Sequence, residues 1–309
     1  MAKDNYYHDK SYKELLSKKR NFLTFLHQFV KKGWVKKIDN DDLILCDKGF
    51  VDPFFDEVES DIIYKVKIAD TEIYFYVLLE LQSTVDYTMP MRLQYYMDMI
   101  RRRVYLDTMK NEREKAGFRI PIVIPIVFYN GSENWTSKMS FSEYQEGSEF
   151  FDDEILTDFK YILVNINKIT PEELFDNLNA VSAVVLADKV RDSEKELLAT
   201  IMKVFESKNW DDFPEERDDF EFWVKNALKR IALEEEKIKE ILEGLKKGDG
   251  NMEKLGIDYI VEKTEARGFI AVALKLLSKG KTIQETTDLL DLSDEQVRQL
   301  NEVANAQAV

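Results

Sequence analysis

The chain has one cysteine, Cys46, in 309 residues. An internal disulfide is excluded, and so is a zinc site built on cysteines. A single thiol fits a reducing compartment, and a cytoplasmic location is expected. Long apolar runs are also missing. The longest near-continuous one, Ile120 to Tyr129, is ten residues and contains Pro121 and Pro125. It is too short to span a bilayer, so no membrane partner is expected. The N-terminus, MAKDNYYHDK, lacks the apolar core of a secretory signal. Positive charge is scarce, with 44 Lys+Arg against 59 Asp+Glu and a net charge of −15. A broad basic surface for nucleic acid is excluded, because neutralising phosphates takes Lys and Arg. A local basic cleft is not: the first fifty residues hold 11 Lys+Arg against 7 Asp+Glu.

What is present is enough for a sizeable core. Hydrophobic residues make up 44% of the chain, which fits one large domain or a domain with an appendage. The most informative stretch is Glu59 to Gln82, ESDIIYKVKIADTEIYFYVLLELQ. It reads as a β-hairpin turning at Asp70–Thr71, with partners whose numbers sum to 141. Side chains alternate along a strand. One face then carries Asp61, Ile63, Lys65, Lys67, Tyr74, Tyr76, Leu78, Glu80 and Gln82. The other, from Ile62 to Leu81, is almost wholly apolar and must be buried. Burial pins the register, since a slip of one residue would expose that set. Asp61 then faces Glu80, with Cβ atoms roughly 5 Å apart. Two carboxylates that close need a proton or a cation between them.

Around the hairpin the periodicity alternates between helix and strand. Residues Asp9 to Val30 have helical spacing, with Gly33 ending the helix. Leu43 to Cys46 is a short strand candidate. Thr88 to Met109 reads as a long helix with Pro90 in its first turn, and with Met91, Tyr95, Met99 and Val104–Tyr105 on one side. Lys110 to Gly117 reads as a charged linker. Ile120 to Tyr129 reads as a buried strand, although its prolines argue against a central place in the sheet. Lys160 to Ile166 is a further strand, and Thr170–Pro171 with Glu172 and Glu173 starts a helix. Helical patterns then follow: Pro171–Val190, Ser193–Ser207, Glu215–Ile241, Tyr259–Lys279, Thr282–Leu290 and Ser293–Ala304. The expected architecture is an α/β mixed sheet flanked by helices, with an all-helical C-terminal extension. The expected boundaries are a sheet domain over 1–190, a helical extension over 191–243, a linker over 244–256 and a helical tail over 257–309. The linker holds Gly244, Gly248, Gly250 and Gly256, four of the eleven glycines.

Oxygen ligands from Asp61 and Glu80 suit Mg²⁺ or Mn²⁺. Such an ion can polarise a phosphodiester and acidify a water. On the residues alone, an ordinary solvated strand face outranks a metal site, because strands carry glutamate for solubility. His27 reads as a packed core histidine. Arg101, Arg102 and Arg103 point in three directions from a helix and read as a solvated face. Tyr74 and Tyr76 read as packed under a covering helix. Lys281 to Val303 resembles a helix-turn-helix with N-caps at Thr282 and Ser293. Asp294 and Glu295 open its second helix and repel phosphate. Self-packing, or a homo-oligomer formed through these helices, is expected of it.

A set of motifs adds to this. His8-Asp9-Lys10 with Lys13-Glu14-Leu15, Glu59-Ser60-Asp61, Leu79 to Ser83 (LELQS), Met89-Pro90-Met91-Arg92, and PIVIPIVFYNG from Pro121 with Trp135 following resemble one family in order and spacing. It is the bacterial recombination-promoting nuclease (putative transposase) family of the PD-(D/E)XK nuclease superfamily. The resemblance covers roughly residues 8 to 190. It implies a restriction-endonuclease-like fold and a Mg²⁺-dependent endodeoxyribonuclease, with Mn²⁺ as a substitute, acting on DNA in recombination or mobile elements. Asp61 and Glu80 would be the metal ligands, and Gln82 would complete the catalytic set. Glutamine replaces the lysine usual in the superfamily, which removes a positive charge. Supporting roles would fall to Glu14, His8, Lys65, Arg92 and Tyr95, with Lys65 the first candidate for the missing charge. The alternative is a catalytically degenerate DNA-binding or protein-interaction module.

Overall fold

Strand pairing in the hairpin follows the sum-to-141 rule from Ile62↔Leu79 to Lys67↔Tyr74. The computed structural model describes residues 11–46, 62–67, 74–151, 157–230, 235–247, 272–278, 280–293, 296–298 and 300–301. Asp61, His8 and the turn expected at Asp70–Thr71 lie outside the described residues. Among the described residues, β1 (Leu43–Leu45), β2 (Ile62–Lys67), β3 (Tyr74–Gln82), β4 (Val123–Tyr129) and β5 (Ile162–Asn165) form one mixed sheet in that order. The first three strands are antiparallel and the last three parallel. β4 is thus an interior strand despite Pro125. Tyr76 N–H donates to Ile122 O, so the backbones of even-numbered β4 residues face β3 and those of odd-numbered ones face β5. Pairing with β5 starts only at Ile126. The donor missing at Pro125 therefore falls before that ladder begins.

The chain divides into two compact units, Met1–Arg191 with Ser207–Glu234, and Asp192–Glu206 with Glu235–Val309. Among the described residues, the main helices in chain order are α1 (Lys19–Phe29), α2 (Met89–Asp107), α3 (Pro171–Asp176), α4 (Ala180–Lys189), α5 (Glu194–Glu206), α6 (Pro214–Arg230), α7 (Glu235–Lys247) and α8 (Ile283–Leu290). The extension expected over 191–243 is therefore divided, and α6 belongs with the sheet. Its buried Asp219 accepts from Arg20 Nη2 at 2.7 Å, from Asn21 Nδ2 at 2.7 Å and from Lys18 Nζ.

Both faces of the sheet are covered. On one, Phe22 of α1 stacks on Tyr64 at 4.0 Å between ring centroids, and Phe25 meets Phe128 edge-on at 5.8 Å. On the other, Leu93, Tyr96, Met97 and Ile100 of α2 pack on Ile63, Tyr76, Leu78 and Val127. Each large apolar side chain buried this way contributes about 1.5–3 kcal/mol. Met91 and Tyr105, expected on the packed side of α2, are exposed. The first helix also departs from expectation. It is helical over 11–16, turns at Ser17–Lys18 and resumes as α1. Tyr64 Oη donates to Ser17 O at 2.7 Å and to Leu16 O at 3.2 Å, and Asn21 Nδ2 donates to Leu15 O at 3.1 Å. These side chains take over carbonyls that an unbroken helix would use internally. Likewise 171–190 is two helices, capped by Thr170 and by Asn179. The charged linker after α2 contains a helical turn, Lys110–Arg113.

In the second unit, Thr282 caps α8 in a capping box with Glu285. Asp291 adopts φ 50°, a left-handed stop that Asp tolerates. Ser293 then caps the next turn, with Gln296 Oε1 accepting from its N–H at 2.8 Å. Ala273, Leu292 and Leu300 form a small buried cluster between these segments. Gly244, expected in the linker, lies within α7. Among the described residues, no helix is long and apolar enough to cross a membrane.

Candidate active site on the third strand

Glu80 is fully buried on the α2 face of β3, opposite Val127 of β4. Such burial costs an ion several kcal/mol unless a partner compensates. The compensation comes from α2, where Arg92 Nη2 reaches Glu80 Oε2 at 3.1 Å. The other arm of the same guanidinium, Nη1, lies 2.7 Å from Asp86 Oδ2. Asp86 Oδ1 in turn accepts from Thr88 N–H at 2.7 Å and from Thr88 Oγ1 at 2.6 Å. The loop between β3 and α2 therefore folds on itself, starts the helix, and holds the arginine's outer arm. Pro90 in the first turn needs no N–H there, so the helix begins without loss.

The electrostatics are mutual. Burial disfavours the charged guanidinium, but Glu80, the Asp86 hydrogen bond and Tyr96 outweigh it and hold Arg92 above the usual arginine range. Burial likewise tends to raise Asp86, yet Thr88 and Arg92 hold it below the usual carboxylate range. Around this ion-pair chain, Tyr129 packs on Trp135 at 5.0 Å, and Trp135 Nε1 donates to Tyr161 Oη at 3.0 Å. Gly131 is required where β4 ends. A Cβ there would lie 2.4 Å from the Ser83 carbonyl oxygen and 2.5 Å from the Tyr129 hydroxyl.

Of the residues singled out from the sequence, the structure gathers Glu80, Gln82 and Arg92. Gln82 is half-buried at the end of β3 on the Glu80 face, opposite Tyr129. Tyr95 is half-buried beside Tyr96. Lys65 is placed elsewhere. It pairs with Tyr76, four residues from Glu80, or about 13 Å along the strand. That is farther than its four-carbon stem reaches. Glu14 is exposed on the 11–16 segment, whose Tyr12 packs on Phe128 on the opposite sheet face. His27, expected in the core, is exposed. Asp86 was missed, although its signal is local: an Asp two residues before Thr88 at a proline-marked helix start is a turn residue.

The oxygen donors brought together are the Glu80 carboxylate and the Gln82 amide, hard ligands of the kind Mg²⁺ and Mn²⁺ take. Among the described residues, no three His, Cys, Asp or Glu side chains gather as a metal group. A cation at Glu80 would share its carboxylate with Arg92.

These features define an α/β protein with a buried carboxylate–arginine centre at the junction of the antiparallel and parallel halves of its sheet. The chain belongs to the family described as "Putative transposase, YhgA-like", which matches residues 6–213. It is 31% identical over 128 residues to recombination-promoting nuclease RpnD of Escherichia coli O157:H7, covering 41% of this chain and 46% of that protein. It is 22% identical over 194 residues to inactive recombination-promoting nuclease-like protein RpnE of Escherichia coli strain K12, covering 60% of each. The chain thus spans about half the length of these relatives. No solved structure matches it.

Proposed function

We propose that the chain is a metal-dependent DNA endonuclease on a restriction-endonuclease-like fold of the PD-(D/E)XK type. The observation that carries this is Glu80, an ionisable group with no exposed surface, facing an arginine at 3.1 Å. Buried ionisable groups with a specific charged partner mark functional sites. The family and the nuclease name of one relative support a phosphodiester substrate. The pairing rule assigns Asp61 to the position facing Glu80, and the two carboxylates would hold Mg²⁺ or Mn²⁺. When bound, that ion supplies Lewis-acid polarisation of the phosphodiester and a more acidic water. Gln82 orients the attacking water through its amide. Arg92, rather than Lys65, supplies the positive charge absent at position 82. Its fork suits a phosphate oxygen, and Asp86 keeps it aimed.

The test is nicking of supercoiled plasmid by the full chain with Mg²⁺ or Mn²⁺. Glu80→Gln keeps a hydrogen-bond acceptor for Arg92 and so preserves the fold better than alanine. Glu80→Gln and Asp61→Asn should each lower cleavage by about 100-fold or more, since metal assistance contributes several kcal/mol. Equal nicking by all three proteins sinks the enzyme reading.

A second reading is a degenerate module that binds DNA or protein without cutting. It is favoured by the arginine already occupying Glu80, by Gln82, and by the word "inactive" in the name of one relative. Salt-dependent DNA binding by the wild type with no nicking in any divalent ion would select it.

A further inference from the structure

Four lysines crowd the segment after α1: Lys31, Lys32, Lys36 and Lys37, all exposed. Several basic residues elsewhere are tied up, as in Arg101 with Asp98, Arg103 with Asp107 and Lys115 with Glu112. Among the described residues, none of the four lysines has an ion-pair partner. What sets them apart is their density, four positive charges within residues 31–37 of a chain whose net charge is −15. Nearby Asp39 and Asp42 exchange side-chain and backbone hydrogen bonds with each other in a capping box at the surface, rather than pairing with these lysines. The lysines also stand on a firm base. Val35 and Ile38 are buried on either side of Lys36–Lys37, and Trp34 packs edge-on against Phe75 at 5.5 Å. Lys31, Lys32, Lys36 and the exposed His27 line one concave surface of about 660 Å³, with no acidic side chain in its wall among the described residues.

Lysines near a helix C-terminus favour its dipole, which accounts for Lys31 and Lys32 but not for Lys36 and Lys37 beyond it. We infer that this lysine surface is a docking site for the phosphate backbone of duplex DNA, on the α1 side of the sheet and separate from Glu80. Point charges on flexible stems neutralise phosphates without reading sequence. The surface therefore serves as an anchor, and any choice of cleavage position is made elsewhere. The choice of DNA rests on the nuclease reading above, but the surface is tested without cleavage.

The experiment uses the full chain in EDTA with a fluorescent 30-base-pair duplex, read by anisotropy across a salt series. Removing each phosphate-contacting lysine should reduce the salt slope by about 1. Lys36→Gln/Lys37→Gln should thus flatten the slope by about 2, and the quadruple Lys→Gln variant by about 3–4. Lys110→Gln/Lys115→Gln removes the same charge as the first pair from lysines already paired with Glu114 and Glu112, and should leave the slope nearly unchanged. Equal thermal unfolding of all variants shows that the fold is kept. An unchanged slope, an equal loss in the control, or no DNA binding by the wild type overturns the inference. Intact nicking with no lysine effect sinks only the docking surface. A lysine effect with no nicking sinks only the enzyme.

Discussion

Arg92→Ala is the most direct probe of the site. The guanidinium makes one contact of 3.1 Å to a fully buried carboxylate and one of 2.7 Å to a carboxylate 20% exposed, while being 34% exposed itself. Exposed ion pairs contribute about 0.2–1 kcal/mol. Breaking a fully buried pair by removing one partner costs about 3–5 kcal/mol. The geometry lies between these limits, and the expected loss is about 2–3 kcal/mol at neutral pH. For a chain of this size that lowers Tm by roughly 5–10 °C. The pH dependence gives the diagnostic sign. Asp86 is held below its ordinary value, in part by Arg92. Its contribution is present above the unfolded carboxylate pKa and is lost as pH falls through the folded one. The variant starts without Arg92's share of that contribution, so the gap to wild type should narrow on acidification below about pH 4. Urea denaturation from pH 7 to pH 3 measures this. A loss under about 0.5 kcal/mol, or a gap that widens on acidification, refutes the idea that Arg92 holds the site together. Arg92→Lys should recover only part of the loss, because one ammonium cannot span both carboxylates as the fork does.

Two further outcomes follow from the geometry. Gly131→Ala places a methyl 2.4 Å from the Ser83 carbonyl oxygen and should destabilise by about 1–3 kcal/mol in thermal unfolding; a neutral effect would contradict the close approach. Burial, with added repulsion from Cys46 and Asp107, pushes the Tyr76 phenol up to about 12. Its stabilisation is full below the ordinary phenol pKa near 10 and is lost as pH rises through 10–12. Ultraviolet titration at high pH should therefore show Tyr76 ionising with unfolding, and Tyr76→Phe should move the alkaline midpoint upward. Ionisation near pH 10 with the fold intact would refute it.

The sequence by itself determined what depends on near neighbours. Alternation over Ile62–Lys67 and Tyr74–Leu79 set the hairpin register, because a slip would put an apolar face in water. Caps at Thr170, Thr282 and Ser293 were legible because a capping side chain bonds a backbone group only two or three residues away. The motif set likewise placed the chain in its family. Tertiary structure decided what depends on elements far apart in the chain. The break at Ser17–Lys18 is held by Tyr64 and by Asp219, some two hundred residues on. The exposure of His27 depends on which face of α1 meets the sheet, and a single polar residue in an apolar stretch leaves that open. The charge facing Glu80 belongs to Arg92 and not to Lys65, for a simple reason. Strand spacing keeps Lys65 about 13 Å away along the sheet. The crossover of α2 over β3 instead brings a residue twelve positions later into hydrogen-bond range.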